Sequence, residues 1–267
     1  VRDRVTFAVG EDGVGVVTLE RPEKLNAMDH DTFEGLHAAG EQAAAATVDR
    51  SCRAVLVTGA GRAFSAGLDV ALFGVQAGDV RAARGPSDDW IAWLQQAFTA
   101  FEDLPVPTVA AVRGPALGAG CQLAIACHLR VAAPGATFGL LEARWGLVPD
   151  LGGTYRLPRL VGLGRAVDLA VTARTVDAAT ALAWGLVDAV LPADGFDEAA
   201  RAYTAALAAG PTTAVGAVPG LMRSALTRSR DDALAAERAA QAACLASADF
   251  AEAADAAGHR EPRFGGA

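Results

Sequence analysis

Aromatic residues make up only 6% of this 267-residue chain, although hydrophobic residues make up 52%. Its core must therefore be built from Ala, Val and Leu rather than from large rings. Lysine is almost absent: Lys24 is the single one, so arginine carries nearly all the positive charge. Against 31 acidic residues there are 23 basic ones, and the net charge of −8 argues against a general nucleic-acid or anionic membrane-surface binder. An anionic ligand would have to be met by local basic residues. The four cysteines, Cys52, Cys121, Cys127 and Cys244, form no Cys-x-x-Cys pair, and no histidine stands at zinc-ligand spacing from them. They read as reduced and mostly buried thiols, with no metal site. Long hydrophobic runs are missing too. The longest uncharged stretch, 114–127, is interrupted by Pro115 and Gln122 and falls short of the ~20 residues a membrane helix needs. "VRDRVTFAV" at the N-terminus lacks the apolar centre of a secretory signal. These absences predict a cytoplasmic protein with no membrane or nucleic-acid partner.

What is present has the rhythm of an α/β fold. "VTFAVGEDGVGVVTLE" predicts a β-hairpin around Glu11-Asp12-Gly13. "MDHDTFEGLHAAGEQAAAA" predicts a helix capped by Asp29 or Asp31. "RAVLVTGAG" and "PTVAAVRG" are continuous apolar runs of the kind buried in parallel sheets, with a helix, "DWIAWLQQAFTAFEDL", between them. "LRVAAPGATFG" reads as a further strand and turn, and from about 162 the pattern becomes helical. Residues 1–195 form the expected core and 196–267 an Ala-rich helical region. Where strand, small-residue turn and helix recur, functional loops lie at the C-terminal ends of the parallel strands.

Two such turns stand out. In "TGAGRAFSAGLD", 58–69, Phe64 occupies the place of the third glycine of a dinucleotide-binding turn, which removes that reading. What remains is a strand entering a loop whose Ser65, Ala66 and Gly67 leave backbone N–H groups accessible. In "GPALGAGCQLA", 114–124, Gly118, Ala119 and Gly120 lead into a helix. The first N–H groups of a helix have no intrahelical partner and favour negative charge. Two such turns at neighbouring strand ends could aim two donors at one oxygen, forming an oxyanion hole. Alone, either turn could equally be a place where small residues let helix and sheet pack closely.

The two motifs resemble those of the crotonase (enoyl-CoA hydratase/isomerase) superfamily. So do "ERPEKLNAMD", "FGLLEARWGLVPDLGGTYRLPRLVG" at 138–162, "AWGLVDAVLP" at 183–192 and the C-terminal "REPRFGG", in the family's order over nearly the whole chain. The resemblance implies a spiral of ββα units with a C-terminal helical trimerisation region. It also implies a homotrimer or dimer of trimers and a coenzyme A thioester as substrate, with no separate cofactor. It places the hole at the N–H groups of Ser65 and Ala119. It assigns contacts with the coenzyme A portion to Lys24, Leu25 and Ala27 and to the loop Ala63, Ser65, Ala66, Gly67 and Leu68, and counts Ala119 and Gln122 among the residues that bind the substrate. Arg260 and Arg263 are either surface residues or contacts to a neighbouring subunit's phosphates.

The acids then decide the chemistry. Hydratases of the family hold water with two glutamates; the second matches Glu142, but Gln122 stands at the first position. An amide holds water yet neither gives nor takes a proton near neutral pH. Isomerisation needs one carboxylate, and Glu142 matches the residue that performs it. Asp150, eight positions on, is either a second acid of the dienoyl-CoA isomerase kind or a cap on the following turn. The expectation is therefore an isomerase, with hydratase as the alternative and a non-catalytic acyl-CoA binder or a hydrolase of the same fold as further ones. The 74–89 stretch is expected to shape the acyl pocket.

Overall fold

The computed structural model describes residues 4–70 and 88–265; the expected acyl-pocket stretch lies outside the described residues apart from Asp88 and Asp89. Strands β1 (Val5–Val9) and β2 (Val14–Leu19) form the predicted hairpin. Helix α1 (His30–Val48) starts at Asp29, whose carboxylate accepts from Thr32 N–H while the Thr32 hydroxyl accepts from Asp29 N–H. Such reciprocal capping contributes about 1 kcal/mol. Strand β3 (Ala54–Gly59), helix α2 (Asp88–Glu102) and strand β4 (Thr108–Val112) follow. Then come β5 (Pro115–Leu117), α3 (Ala119–Ala126), β6 (Leu129–Ala132) and β7 (Thr137–Gly139).

The stretch read as one strand and turn, "LRVAAPGATFG", is thus two strands. Pro134 and Gly135 break it, and the halves join different sheets. After β7 the chain forms α4 (Gly153–Val161), α5 (Leu163–Thr172), β8 (Val176–Asp177), α6 (Ala178–Trp184) and β9 (Ala189–Val190). The larger sheet has the order β1-β2-β3-β4-β6-β9, parallel beyond the hairpin; the smaller has the order β5-β7-β8. Helix therefore begins at 153 rather than 162, and it contains Pro158.

The main core fills the space between the two sheets, α1, α2 and α3, with Phe33, Phe98 and Phe138 fully buried among Val, Leu and Ala. A second core lies on the other face of the large sheet. There α7 (Phe196–Ala208) buries Phe196, Ala200 and Ala208 against Val14, Leu56 and Val109. Residue 196 consequently opens a layer of the core, and the outlying helices are α8 (Thr212–Ala225), α9 (Arg230–Leu245) and α10 (Ala248–Ala256). Amphipathic spacing is the same whether the covered face is a sheet or another helix, so the sequence pattern alone does not distinguish α7, which covers the sheet, from the helices that follow it. Among the described residues no single helix is long and apolar enough to cross a membrane.

Candidate active site

Three segments meet at one end of the sheets. Segment 24–28 follows a short 3-10 turn and enters it through Leu25 and Asn26, both with positive φ (52° and 54°). Asn26, only 1% exposed, reaches across to the second segment: its Nδ2 donates to Ala60 O (3.0 Å) and Ala63 O (2.8 Å), and its own carbonyl accepts from the Ser65 hydroxyl (2.8 Å). An asparagine tolerates the left-handed region better than most residues; that preference inside "EKLNAM" is the signal by which this tie could have been read from sequence. Leu25 O accepts from Ala66 N–H at 2.9 Å and Gly67 O from Met28 N–H at 2.8 Å. Lys24, Leu25 and Ala27 are therefore brought alongside the 63–68 loop, with Lys24 exposed.

The third segment is β5 and the first turn of α3, and here one assignment must be corrected. Ser65 N–H donates to Pro115 O (3.0 Å), and Ser65 O accepts from Leu117 N–H (3.0 Å), so loop and β5 form a bridge. A donor spent on a backbone carbonyl is not available to a ligand. Ala66 N–H goes to Leu25 O, Gly67 N–H to the Ser65 hydroxyl and Asp69 N–H to Met28 O. Among the described residues, the N–H groups of Ala63 and Leu68 are the donors of this loop left without an acceptor, and Leu68 is the one beside Ala119. The parallel bridge between Met28 and Leu68 explains the latter, since such pairing uses N–H groups of the flanking residues and turns that of Leu68 the other way.

Ala119 opens α3, with Gly118 as its N-cap at φ 51° and ψ −121°. Its N–H is one of the helix's orphan donors, as the sequence predicts. The two segments touch closely: a Cβ built on Gly67 would lie 2.8 Å from Leu117 O and 3.6 Å from Ala119 N. Gly67 also has φ 101°. Gly67→Ala is therefore expected to lower stability by about 2 kcal/mol through strain and overlap, read as a lower midpoint in urea, and to weaken any ligand held at this junction.

Glu142 begins a 3-10 turn, Glu142–Trp145, after β7. A Cβ on Gly118 would come 3.4 Å from its Oε1, so the carboxylate lies over the N-cap of α3. Oε1 accepts from Gln122 Nε2 at 2.7 Å, whereas Oε2 is buried and has no partner among the described residues. Burial pushes the Glu142 carboxyl above the usual carboxylate range; the Gln122 hydrogen bond opposes this, and the charge of Asp150 adds to it. Asp150 is half-buried, and burial raises its carboxyl also. It caps nothing. Gly152 is the N-cap of α4 with no side-chain hydrogen bond, and the Asp150 carbonyl accepts from Gln95 Nε2. Asp150 and Gln95 line a cleft of about 570 Å³ with Tyr155, Arg156 and Arg223.

Chemically, two main-chain donors at Leu68 and Ala119 beside an incompletely bonded carboxylate can stabilise an oxyanion while one proton moves. Arg260 lies at the surface and pairs with Glu252 and Asp255 of its own chain. Cys121 and Cys127 are buried with their thiols pushed up to about 12. Among the described residues no group of three His, Cys, Asp or Glu side chains could hold a metal ion.

Residues 10–267 match the family described as enoyl-CoA hydratase/isomerase. A Rhodobacter capsulatus protein named "Probable enoyl-CoA hydratase" is 36% identical over 262 residues, covering 96% of this chain and 95% of that protein. The glyoxysomal fatty acid β-oxidation multifunctional protein MFP-a of Brassica napus is 39% identical over 199 residues, or 74% of this chain. The match takes in 26% of that protein, so the chain corresponds to about a quarter of its length. The structure of a Thermobifida fusca protein in complex with acetoacetyl-CoA superposes with a TM-score of 0.80 at 36% identity, over 91% of this chain and 95% of the other. The α/β core with C-terminal helices is thus the crotonase fold, and the chain belongs to the enoyl-CoA hydratase/isomerase family.

Proposed function

We propose that the protein converts enoyl-CoA thioesters through an enolate whose oxygen is bound by the N–H groups of Leu68 and Ala119, and that double-bond isomerisation is the reaction its acids favour. The observation that carries this is the pairing of Glu142 with a non-titrating Gln122. Glu142 takes a proton from Cα of a 3-enoyl thioester; the electron pair of that C–H bond becomes the C1–C2 π bond as the carbonyl π pair moves onto the thioester oxygen. When the enolate collapses, the double bond shifts to C2–C3 and the same carboxyl delivers its proton to Cγ. No net proton is exchanged with a second group, so one carboxylate suffices. In this reading Lys24, Leu25 and Ala27, with the 63–68 loop, hold the coenzyme A portion, which their hydrogen-bonded proximity supports. The acetoacetyl-CoA bound to the Thermobifida fusca relative supports that class of ligand.

Hydration of a trans-2-enoyl-CoA is the second reading, supported by the hydratase names of the relatives. It needs a water and a second titrating group, and Asp150 is the candidate. A panel of 2-enoyl-, 3-enoyl- and dienoyl-CoA esters decides between them. Isomerisation of the 3-enoyl ester is expected to outpace hydration of the 2-enoyl ester; the reverse ranking would establish the hydratase. Release of free CoA would mark a hydrolase, and calorimetric binding without product a non-catalytic binder. Gln122→Glu is expected to raise hydration by roughly 10²-fold, the low end of what one general acid supplies; no gain would show that pocket shape limits that reaction. Assembly into trimers is part of the same reading, supported by apolar side chains exposed on α5 and α8, among them Leu163, Val171 and Met222 at 70–72% exposure. A single-chain mass by light scattering would remove it.

A further inference from the structure

The Gln122 amide has a fixed orientation. Its Oε1 accepts from Leu151 N–H and Gly153 N–H, both at 2.9 Å, while its Nε2 donates to Glu142 Oε1 at 2.7 Å. Turning the amide over would set its NH2 against two N–H donors and its oxygen against a carboxylate oxygen. All three contacts would become repulsive. The side chain is 1% exposed, so water cannot substitute for what is lost. The backbone also closes tightly around it: a Cβ on Gly153 would fall 2.8 Å from Gln122 Oε1. From behind, Arg156 donates to Leu151 O at 2.9 Å and is itself held by Glu102. The loop that fixes the amide is gripped on both sides.

We propose that Gln122 is a positioning residue, whose backbone-locked amide pins Glu142 through Oε1 and leaves Oε2 as the atom that takes and returns the substrate proton. The proposal rests on Glu142 acting as the base. A donated hydrogen bond at Oε1 withdraws charge from that oxygen and stabilises the anion, while the unpartnered Oε2 keeps its lone pairs free. Held at one end, the carboxylate also loses rotamer freedom before substrate arrives. The charged group that faces Glu142 across the site is Asp150, which pushes its titration up. Cys121 on α3 is neutral, since burial lifts its thiol to about 12.

The test is the titration of the Glu142 carboxyl carbon, followed by ¹³C NMR in Glu-labelled protein and assigned by its loss in Glu142→Gln. Gln122→Glu retains an acceptor for Leu151 and Gly153 but replaces the donated hydrogen bond with a carboxylate oxygen at the same short distance. The Glu142 midpoint is expected to rise by at least about one pH unit, as for two carboxylates sharing a site. Gln122→Met, which removes the donor without adding charge, is expected to move it up by less. A midpoint unchanged in Gln122→Met would overturn the proposal, because a residue that merely braces the 151–153 loop alters melting and not this titration. If Gln122→Met does not fold, Gln122→Leu carries the same reading, since a rise in Gln122→Glu follows from the added charge alone. The readout needs no turnover, so it stands even where the thioester panel shows no conversion and the functional reading fails. Where the panel does show conversion, the acidic limb of its pH profile must shift with the NMR midpoint, because the carboxylate is the active form.

Discussion

Glu142→Gln is expected to lose exchange of the α-proton of an acyl-CoA with deuterated solvent by at least about 10²–10⁴-fold, while melting no lower than the parent protein. The loss follows from removing the group placed to accept the proton: an amide is the same size but has no basic lone pair near neutral pH. The retained stability follows from the cost of the carboxylate in the folded state. Burial raises the Glu142 carboxyl above its ordinary value, and its Oε2 has no hydrogen-bond donor. The folded chain therefore binds this proton more tightly than the unfolded chain does. Below the ordinary glutamate value the carboxyl is protonated in both states and the substitution changes little. As pH rises through that value towards the raised folded one, the parent loses stability that the amide variant keeps, and the difference persists above it. Melting curves at pH 4 and pH 8 separate the two regimes. Unchanged exchange would remove Glu142 from the mechanism, and a melting point lowered at high pH would show the carboxylate to be a net stabilising contact.

Much of the architecture is legible in local pattern. The hairpin, the Asp29 cap, the buried parallel strands β3 and β4 and the glycine-rich entry to α3 all depend on residues near one another in the chain. The site is legible as a place, since both turns and Glu142 do converge. What the local pattern does not reveal is which amide in the first turn is free. That depends on two long-range bridges, Ser65 with Ala116 and Met28 with Leu68, and a one-step change of pairing would exchange the free donor for a bound one. The role of Gln122 is hidden for the same reason. As a residue type it signals only the loss of an acid, whereas its contacts with Leu151 and Gly153 come from a loop 29 and 31 positions away. The start of α4 was obscured by Pro158, which reads as a helix breaker but sits within the helix.

Ala119→Pro is expected to cost about 10²–10³-fold in conversion and to leave the fold intact. Proline removes the one atom the mechanism asks of this residue, the amide hydrogen. At the first position of a helix that hydrogen has no intrahelical acceptor, and the ring's fixed φ suits the helical turn that follows. The residue ahead of a proline is restricted in general; here it is Gly118, already at φ 51° and ψ −121°, where a glycine is free of side-chain overlap. Because the site is buried, with Ala119 2% exposed, the ring's added carbons occupy the space where the thioester oxygen would sit. Both effects act on the same oxygen. The partner donor, Leu68 N–H, remains, so a residual rate is expected rather than none. Loss of conversion with unchanged circular dichroism and melting would tie the reaction to a main-chain donor at this position. Full activity in a folded Ala119→Pro protein would mean that the substrate oxygen binds elsewhere, and the roles given to Leu68 and Glu142 would go with it.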